Sequence, residues 1–195
     1  MKLIGISGKM GTGKTTIANM IKEIVPNSER VAFGDVLKRE LANKYGVPLS
    51  VFYYNKDVVI HATPERREVA WPEARDTMTA RELMQWYATE FVRATNPDYW
   101  IVGMREYLRS LRGVSLVIID DTRFPNEAAF IKDSGGVLVR IEPYSGYTVD
   151  PGIASHISET ALDNRQEWDA VCKPEYGVDS LKKTVDDMTL WAEWD

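Results

Sequence analysis

The residues with the clearest chemical potential are eight near the start of the chain: Gly8-Lys9-Met10-Gly11-Thr12-Gly13-Lys14-Thr15. A glycine, four residues and then Gly-Lys-Thr is the phosphate-loop pattern, in which backbone N–H groups surround a phosphate. Lys14 then supplies a positive charge to the terminal phosphates, and the Thr15 hydroxyl is a ligand for magnesium. The loop, with the adjoining Thr16, therefore predicts that the protein binds a nucleoside triphosphate.

The segments on either side of the loop have the character that the motif requires. Residues 2–7 are typical of a short buried strand, and residues 16–22 have the apolar spacing of a helix. A strand, a glycine-rich turn and a helix start favour a working phosphate loop over a glycine-rich turn that binds nothing.

A second group of polar residues follows a buried strand predicted over 115–119. Asp120 and Asp121 end this strand, and phosphate-loop enzymes use such an aspartate to hold magnesium. The alternative is that one aspartate merely caps the next helix. Spacing places Asp120 and Asp121 equally well for the metal. Arg123, three residues beyond the strand, has the planar fork that clamps a phosphate.

A third group predicts a binding site for a second anion. Arg81 and Arg93 lie on a helix predicted over 80–93 and face roughly the same side, and Lys38 lies on a helix after residue 35. With Arg123 they can form a pocket for the phosphate of an acceptor, although each alone is also typical of a solvated surface. Gln85 offers an amide suited to a base edge or to a structural hydrogen bond.

Asp35 has two interpretations. It follows a strand predicted over 30–33, taken as a neighbour of the first strand, so its carboxylate can reach reacting groups. It also stands where the N-cap of the next helix belongs.

Strands alternate with helices along the chain, which predicts a parallel sheet with helices on both faces. Further strands are expected over 137–141 and 168–172, short helical pieces over 46–78, and a closing helix over 179–191. Residues 142–163 have little periodicity and are interpreted as a loop or lid with room for a short helix. In such sheets, ligands lie beyond the carboxyl ends of the strands, where the phosphate loop and Asp120-Asp121 meet.

Composition limits the classes of function. A length of 195 residues without repeats suits one domain, and a net charge of −5 argues against a stable nucleic-acid partner. The single cysteine, Cys172, excludes an internal disulfide and suits a reducing cytoplasm, and no segment is typical of a membrane span or signal peptide. His61 and His156 lack zinc-ligand spacing, so no transition metal is predicted.

Taken together, several blocks resemble the phage-type deoxynucleoside monophosphate kinases of the phosphate-loop superfamily. The blocks are the loop itself, Phe33-Gly34-Asp35-Val36-Leu37-Lys38, Arg81-Glu82-Leu83-Met84-Gln85, Thr89-Glu90, Arg93, Pro97-Asp98, Trp100, Asp121-Thr122-Arg123 and His156-Ile157-Ser158-Glu159. They cover nearly the whole chain.

The resemblance implies a kinase-like three-layer α/β fold of about five strands. It has an acceptor-binding helical region over about 34–112 and a lid over about 142–164. It implies transfer of the γ-phosphoryl group of ATP to a deoxynucleoside 5′-monophosphate, with Mg²⁺, in the cytoplasm of a cell or of a phage host. The implied catalytic residues are Lys14, Asp35, Asp121 and Arg123. The metal residues are Thr15, Asp120 and Asp121, and the acceptor residues are Lys38, Arg81, Gln85, Arg93, Trp100 and Arg123. Whether the chain forms a homodimer stays open.

Two departures from the family pattern bear on the site. Residues 142–164 contain no arginine or lysine, so Lys9, Arg140 or Arg165 would have to replace the arginines of a kinase lid. The turn expected to contact adenine is Lys173-Pro174-Glu175-Tyr176-Gly177 rather than an Asn-rich turn.

The Asp-Thr-Arg block is also similar to that of phosphomevalonate kinase. The alternatives are therefore a kinase for another phosphorylated small molecule or a modified base in DNA, and an ATP-dependent switch.

Overall fold

A computed structural model describes residues 1–149, 151–175 and 177–192 of the chain. Its contacts form two units, described separately here. The first comprises Met1–Phe33 and the chain from Tyr107 onward, and the second comprises Gly34–Glu106. The second unit lies within the region 34–112 for which an acceptor-binding role is predicted, and that role stays a prediction.

The first unit is built on a sheet of five strands. In chain order they are β1 (Lys2–Gly8), β2 (Ser28–Val31), β5 (Leu116–Ile119), β6 (Val137–Ile141) and β7 (Ala170–Cys172). Their order across the sheet is β2-β5-β1-β6-β7, and every neighbouring pair is parallel. The predicted parallel sheet of about five strands is therefore confirmed.

The helices of this unit cover both faces of the sheet. They are α1 (Lys14–Ile24), α7 (Pro125–Asp133), α8 (Pro151–Ala154), α9 (Ile157–Thr160) and α10 (Val178–Ala192). Alternate residues of β1 point to opposite faces, so Ile4 and Ile6 pack with α1 and α10, whereas Gly5 lies against Ile131 of α7. Ile17, Ala18 and Ile21 of α1 are fully buried in this core, which fixes the helix behind the phosphate loop.

The second unit combines short helices with a two-stranded antiparallel sheet. Its elements are α2 (Phe33–Tyr45), α3 (Leu49–Tyr54), β3 (Val59–His61), α4 (Pro64–Val69), β4 (Thr77–Thr79), α5 (Ala80–Gln85), a π-helical continuation (Trp86–Arg93) and α6 (Tyr99–Ser110). The first residue of α2 and the last turn of α6 belong to the first unit. Thr79 caps α5 as predicted, in a reciprocal capping box with Glu82. The β3–β4 pair was not predicted over 46–78, because three-residue strands carry no usable periodicity.

Three sequence predictions about the segment around Asp35 are wrong. The second strand is Ser28–Val31, so Phe33 begins α2 rather than ending a strand. Asp35 lies inside the first turn and is not the N-cap; the backbone N–H of Phe33 donates instead to Asp121 Oδ1 at 2.7 Å. Moreover, β5 separates β2 from β1, so β2 is not a neighbour of the first strand.

A further correction concerns the helix of Arg81 and Arg93. The inference that both face one side used 3.6 residues per turn, but Trp86–Arg93 is π-helical and therefore has more residues per turn.

The lid region is mostly irregular, as expected, and contains α8 and α9. Among the described residues, no helix has both the length and the apolar character needed to cross a membrane.

Candidate active site

The phosphate loop connects the end of β1 directly to the start of α1. Gly11 and Gly13 have φ values of 82° and 87°, in the left-handed region that favours glycine. At Gly8, a side chain would place its Cβ 2.5 Å from the carbonyl oxygen of Ile141, so neighbouring β6 excludes any larger residue. The predicted strand, turn and helix around the motif are thus all present.

Lys14 is the most perturbed titratable group of the loop. It is buried, and its Nζ donates to the backbone carbonyl of Lys9 at 2.5 Å. The pKa of Lys14 is lowered from 10.5 to about 7, mainly by burial and in addition by the nearby positive charge of Arg123. Glu159, Asp120 and Asp121 oppose this shift. Lys14 therefore lies within electrostatic range of both predicted aspartates and of the predicted arginine.

Asp120 and Asp121 have different surroundings although they are adjacent. Asp120 is 1 % exposed, and both its carboxylate oxygens accept hydrogen bonds from Arg30 Nη2, at 2.8 and 2.9 Å. Asp121 accepts the Phe33 N–H. The buried charge of Asp120 is thus neutralised by a β2 arginine that the sequence did not single out.

Magnesium suits the donors that the sequence predicts. Thr15 is exposed at the start of α1, and its hydroxyl and the carboxylates of Asp120 and Asp121 are hard oxygen donors. Within the described ranges, no three His, Cys, Asp or Glu side chains gather as metal ligands. Mg²⁺ usually keeps several waters and takes one or two carboxylates together with substrate phosphates.

Arg123 reaches the phosphate loop from the end of β5. Its Nη1 donates to the Gly8 carbonyl at 3.3 Å and to Glu159 Oε1 at 2.5 Å. The other oxygen of Glu159 accepts the backbone N–H of Met10 at 2.8 Å. One carboxylate of the lid region therefore bridges a loop amide and the arginine predicted to hold phosphate.

Two basic residues outside the lid region, Lys9 and Arg140, form hydrogen bonds with it. Lys9 Nζ lies 2.6 Å from the Glu159 carbonyl and from both carboxylate oxygens of Asp163. Arg140 Nη2 also donates to Asp163, at 3.3 Å, whereas Arg165 lies over the ring of Trp168. Of the three residues expected to replace lid arginines, Lys9 and Arg140 contact the lid region through Asp163.

A cavity of about 230 Å³ adjoins the phosphate loop. On the loop side it is lined by Gly11, Thr12, Gly13 and Thr16, and on the other side by Tyr144, Pro174, Glu175, Gly177 and Leu181. Part of the turn expected to contact adenine therefore does border the loop. Tyr176, the fourth residue of that turn, lies outside the described residues.

In the second unit, Lys38 and Asp35 form a small cluster with Tyr53. Asp35 Oδ1 accepts from Lys38 Nζ at 3.0 Å and from the Tyr53 hydroxyl at 2.8 Å. Lys38 Nζ also lies 4.3 Å from the centre of the Tyr53 ring. Two predicted site residues are thus brought together with a tyrosine that the sequence did not single out.

The other predicted acceptor residues lie on the helical part of the same unit. Arg81 forms a 3.6 Å ion pair with the exposed Asp57, Arg93 donates to the Pro97 carbonyl at 3.2 Å, and Gln85 is half-buried. Trp100 is 2 % exposed and its indole N–H donates to the Ala88 carbonyl, so its ring packs within the unit.

Sequence reasoning missed the residues that connect the lid region to the loop. Glu159 was noted only as part of a family block, whereas Tyr144, Tyr147 and Asp163 were not singled out. The Tyr147 hydroxyl donates to the Met10 carbonyl. A usable signal was present, since a lid that lacks arginine and lysine but carries carboxylates is complementary to Lys9 and Arg123.

Comparisons with known proteins agree with this geometry. A protein of Acanthamoeba polyphaga mimivirus, whose name assigns it to the deoxynucleotide monophosphate kinases, is 31% identical over 186 aligned residues, covering 88% of this chain and 87% of the relative. Among solved structures, a Thermus thermophilus protein superposes with a TM-score of 0.51 at 16% identity over 97% of both chains, which shows the fold alone. Shikimate kinase from Bacteroides thetaiotaomicron has a TM-score of 0.47 at 11% identity over 99% of both chains. No family model matches the chain.

The phosphate loop, the parallel sheet behind it and the length of the match to the mimivirus relative converge with the resemblance noted from the sequence. That resemblance is confirmed, and this chain belongs to the deoxynucleotide monophosphate kinase family.

Proposed function

We propose that this protein transfers the γ-phosphoryl group of ATP to a deoxynucleoside 5′-monophosphate, giving the diphosphate. The observation that carries the proposal is the buried Lys14 in a phosphate loop, within electrostatic range of Arg123, Asp120 and Asp121, in a member of this kinase family. Phosphoryl transfer needs little covalent help from a protein, so positioned cations and loop amides are sufficient for catalysis.

The first unit supplies the residues for the donor nucleotide. The loop amides from Gly8 to Thr16 and the Lys14 ammonium would hold the ATP phosphates. The adjoining cavity, lined by Tyr144 and Leu181, has a size and apolar lining suited to adenine. Because the pKa of Lys14 is lowered to about 7, an arriving polyanion would favour its protonated form and so match its charge to the phosphates.

Thr15 and Asp121 are the residues that we propose for Mg²⁺. Bound Mg²⁺ would neutralise part of the phosphate charge during transfer. Asp120 is the other predicted ligand, but both its carboxylate oxygens accept hydrogen bonds from Arg30 of β2. We therefore assign Asp120, at the end of β5, mainly to holding Arg30 in place.

The second unit supplies the residues proposed for the acceptor. Lys38, Arg81 and Arg93 offer three cations for its phosphate, and Gln85 offers an amide for its base. Asp35 and its partner Tyr53 are polar groups beside Lys38 that can orient the acceptor or its reacting oxygen. Trp100, being buried, would act by supporting this helical region, and Arg123 would neutralise phosphate charge from the first unit.

The expected small-molecule partner is thus a nucleotide, and the place of action that we propose is the cytoplasm, which the single free cysteine suits. Oligomeric state is tested directly by light scattering of the purified chain.

A coupled ADP-release assay tests the reaction. Purified protein, ATP and Mg²⁺ are supplied with a panel of deoxynucleoside monophosphates, ribonucleoside monophosphates, phosphomevalonate and oligonucleotides. We expect turnover with one or more deoxynucleoside monophosphates and formation of the corresponding diphosphate. Turnover with phosphomevalonate or an oligonucleotide alone contradicts the assigned substrate, and ATP hydrolysis independent of any acceptor contradicts the kinase reaction itself.

A further inference from the structure

The carboxylate of Glu159 accepts hydrogen bonds from two donors at the phosphate loop that are suited to an anionic ligand. It accepts the Met10 backbone N–H at 2.8 Å and the Arg123 guanidinium at 2.5 Å, and its side chain is only 8 % exposed. A backbone N–H of a glycine-rich loop together with an arginine is the donor set that typically binds a phosphate oxygen. Glu159 therefore makes the contacts expected of a bound phosphate.

Three further contacts fasten the same part of the chain to the loop. Lys9 Nζ bonds the Glu159 carbonyl and the Asp163 carboxylate, each at 2.6 Å. The Tyr147 hydroxyl donates to the Met10 carbonyl. The lid is thus fastened to the loop at Tyr147, Glu159 and Asp163, although residues 147–163 contain no arginine or lysine.

Two anions do not share these donors at low cost. The negative charge of Glu159 raises the pKa of Lys14, so it acts on the same lysine that the nucleotide phosphates would contact. A phosphate that approaches Met10 and Arg123 has to repel or replace this carboxylate, because like charges within a few ångströms are unfavourable in a water-poor site.

We propose that Glu159 is an internal anion that holds the lid segment 147–163 closed on the phosphate loop and is displaced from Met10 and Arg123 by the phosphates of the incoming nucleotide. The inference rests on the proposed function for the identity of the ligand, ATP. Displacement releases Arg123 to the phosphates, so the arginine reaches its substrate only when a phosphate is present.

The test is a binding titration with Mg-ATP and Mg-ADP on the wild-type protein, Glu159→Gln and Glu159→Ala. Glutamine keeps the size and one hydrogen-bonding oxygen but removes the charge. We expect both variants to bind ATP about tenfold more tightly than wild type, which corresponds to about 1.4 kcal/mol. Glu167→Gln, an exposed position beyond the lid segment, is the matched control and should leave the Kd unchanged.

The kinetic constants provide the second readout. A displaced anion predicts a lower KM for ATP in Glu159→Gln with kcat within about twofold of wild type, because no transition-state contact is removed. If Glu159 instead stays in place and orients Arg123, the variant loses kcat or binds ATP no more tightly, and the proposal is overturned.

The two proposals fail in distinguishable ways. A wild-type protein that phosphorylates a deoxynucleoside monophosphate while Glu159→Gln and Glu159→Ala bind ATP with unchanged Kd overturns the inference and leaves the proposed function intact. A protein that binds ATP, gains affinity in both variants and phosphorylates no acceptor supports the displaced anion and contradicts the kinase reaction. Wild-type protein that does not bind ATP contradicts both.

Discussion

The phosphate loop and the proposed acceptor residues of the second unit differ in how their contacts are made. In the loop, the partners come from far along the chain: Arg123 bonds Gly8, and Lys9 bonds Asp163. In the second unit, Arg93 bonds Pro97 only four residues away, and Arg81 pairs with the exposed Asp57. Exposed pairs contribute little stability and exchange readily with solvent. The contacts around the proposed donor site thus join strand ends and lid residues of the first unit, whereas these contacts of the proposed acceptor cations Arg81 and Arg93 are made within the second unit.

The largest expected effect is on Lys14, at the centre of the assembled region. Lys14→Ala should lower kcat by on the order of a thousandfold, because it removes a charge aimed at the transferred phosphate. Steady-state kinetics and a circular dichroism spectrum check that activity falls while the fold remains. Lys22→Ala, on the same helix but exposed in a pair with Glu29, is the matched control. Near-normal activity of Lys14→Ala contradicts the loop assignment.

The next largest effect tests how firmly the end of β5 depends on Arg30. Asp120→Asn should lower the free energy of unfolding by about 3 kcal/mol, since it leaves a partly buried guanidinium without its counter-charge. Urea denaturation measures the change. Asp121→Asn should cost less stability but raise the Mg²⁺ concentration needed for half-maximal activity. Equal losses of stability in Asp120→Asn and Asp121→Asn would contradict the structural role assigned to Asp120 alone.

The pH dependence of stability sharpens the claim that Lys14 is buried. Its pKa is about 7 in the folded protein against an ordinary 10.5, so the unfolded chain binds more protons between these values. The burial penalty is complete below pH 7 and is relieved as pH rises. Relative to Lys14→Met, the wild type should therefore gain about 2 kcal/mol between pH 7 and pH 9. Urea denaturation at several pH values measures this gain. A pH-independent difference would mean that Lys14 is hydrated.

The smallest expected effect lies in the second unit. Arg81→Ala should raise the KM for the acceptor about tenfold and leave the KM for ATP unchanged, because one partly exposed cation contributes about 1.4 kcal/mol to anion binding. Initial rates with either substrate varied separate the two constants. Arg67→Ala, at an exposed arginine of this unit paired with Asp76, should change neither. A change in the KM for ATP alone would contradict the assignment of Arg81 to the acceptor.

Much of the first unit was predictable because its signals are local. Residues 115–119 and 137–141 are short apolar runs, and the loop is defined by glycines whose backbone angles few other residues adopt. The second unit was less predictable because strands of three residues and a π-helical turn leave no regular period. The N-terminus of α2 was misplaced because its capping carboxylate, Asp121, lies 88 residues away.

By itself, the sequence determined the phosphate loop, the parallel sheet behind it and the residue types available to each part of the site. Spacing and backbone preference suffice for such features, because they act between residues that are close in the chain. Only the tertiary structure decided that Asp120 pairs with Arg30 and that Glu159 bridges Met10 and Arg123. These pairs depend on which strand ends and lid residues meet, and that is set by burial of the whole core rather than by any local pattern.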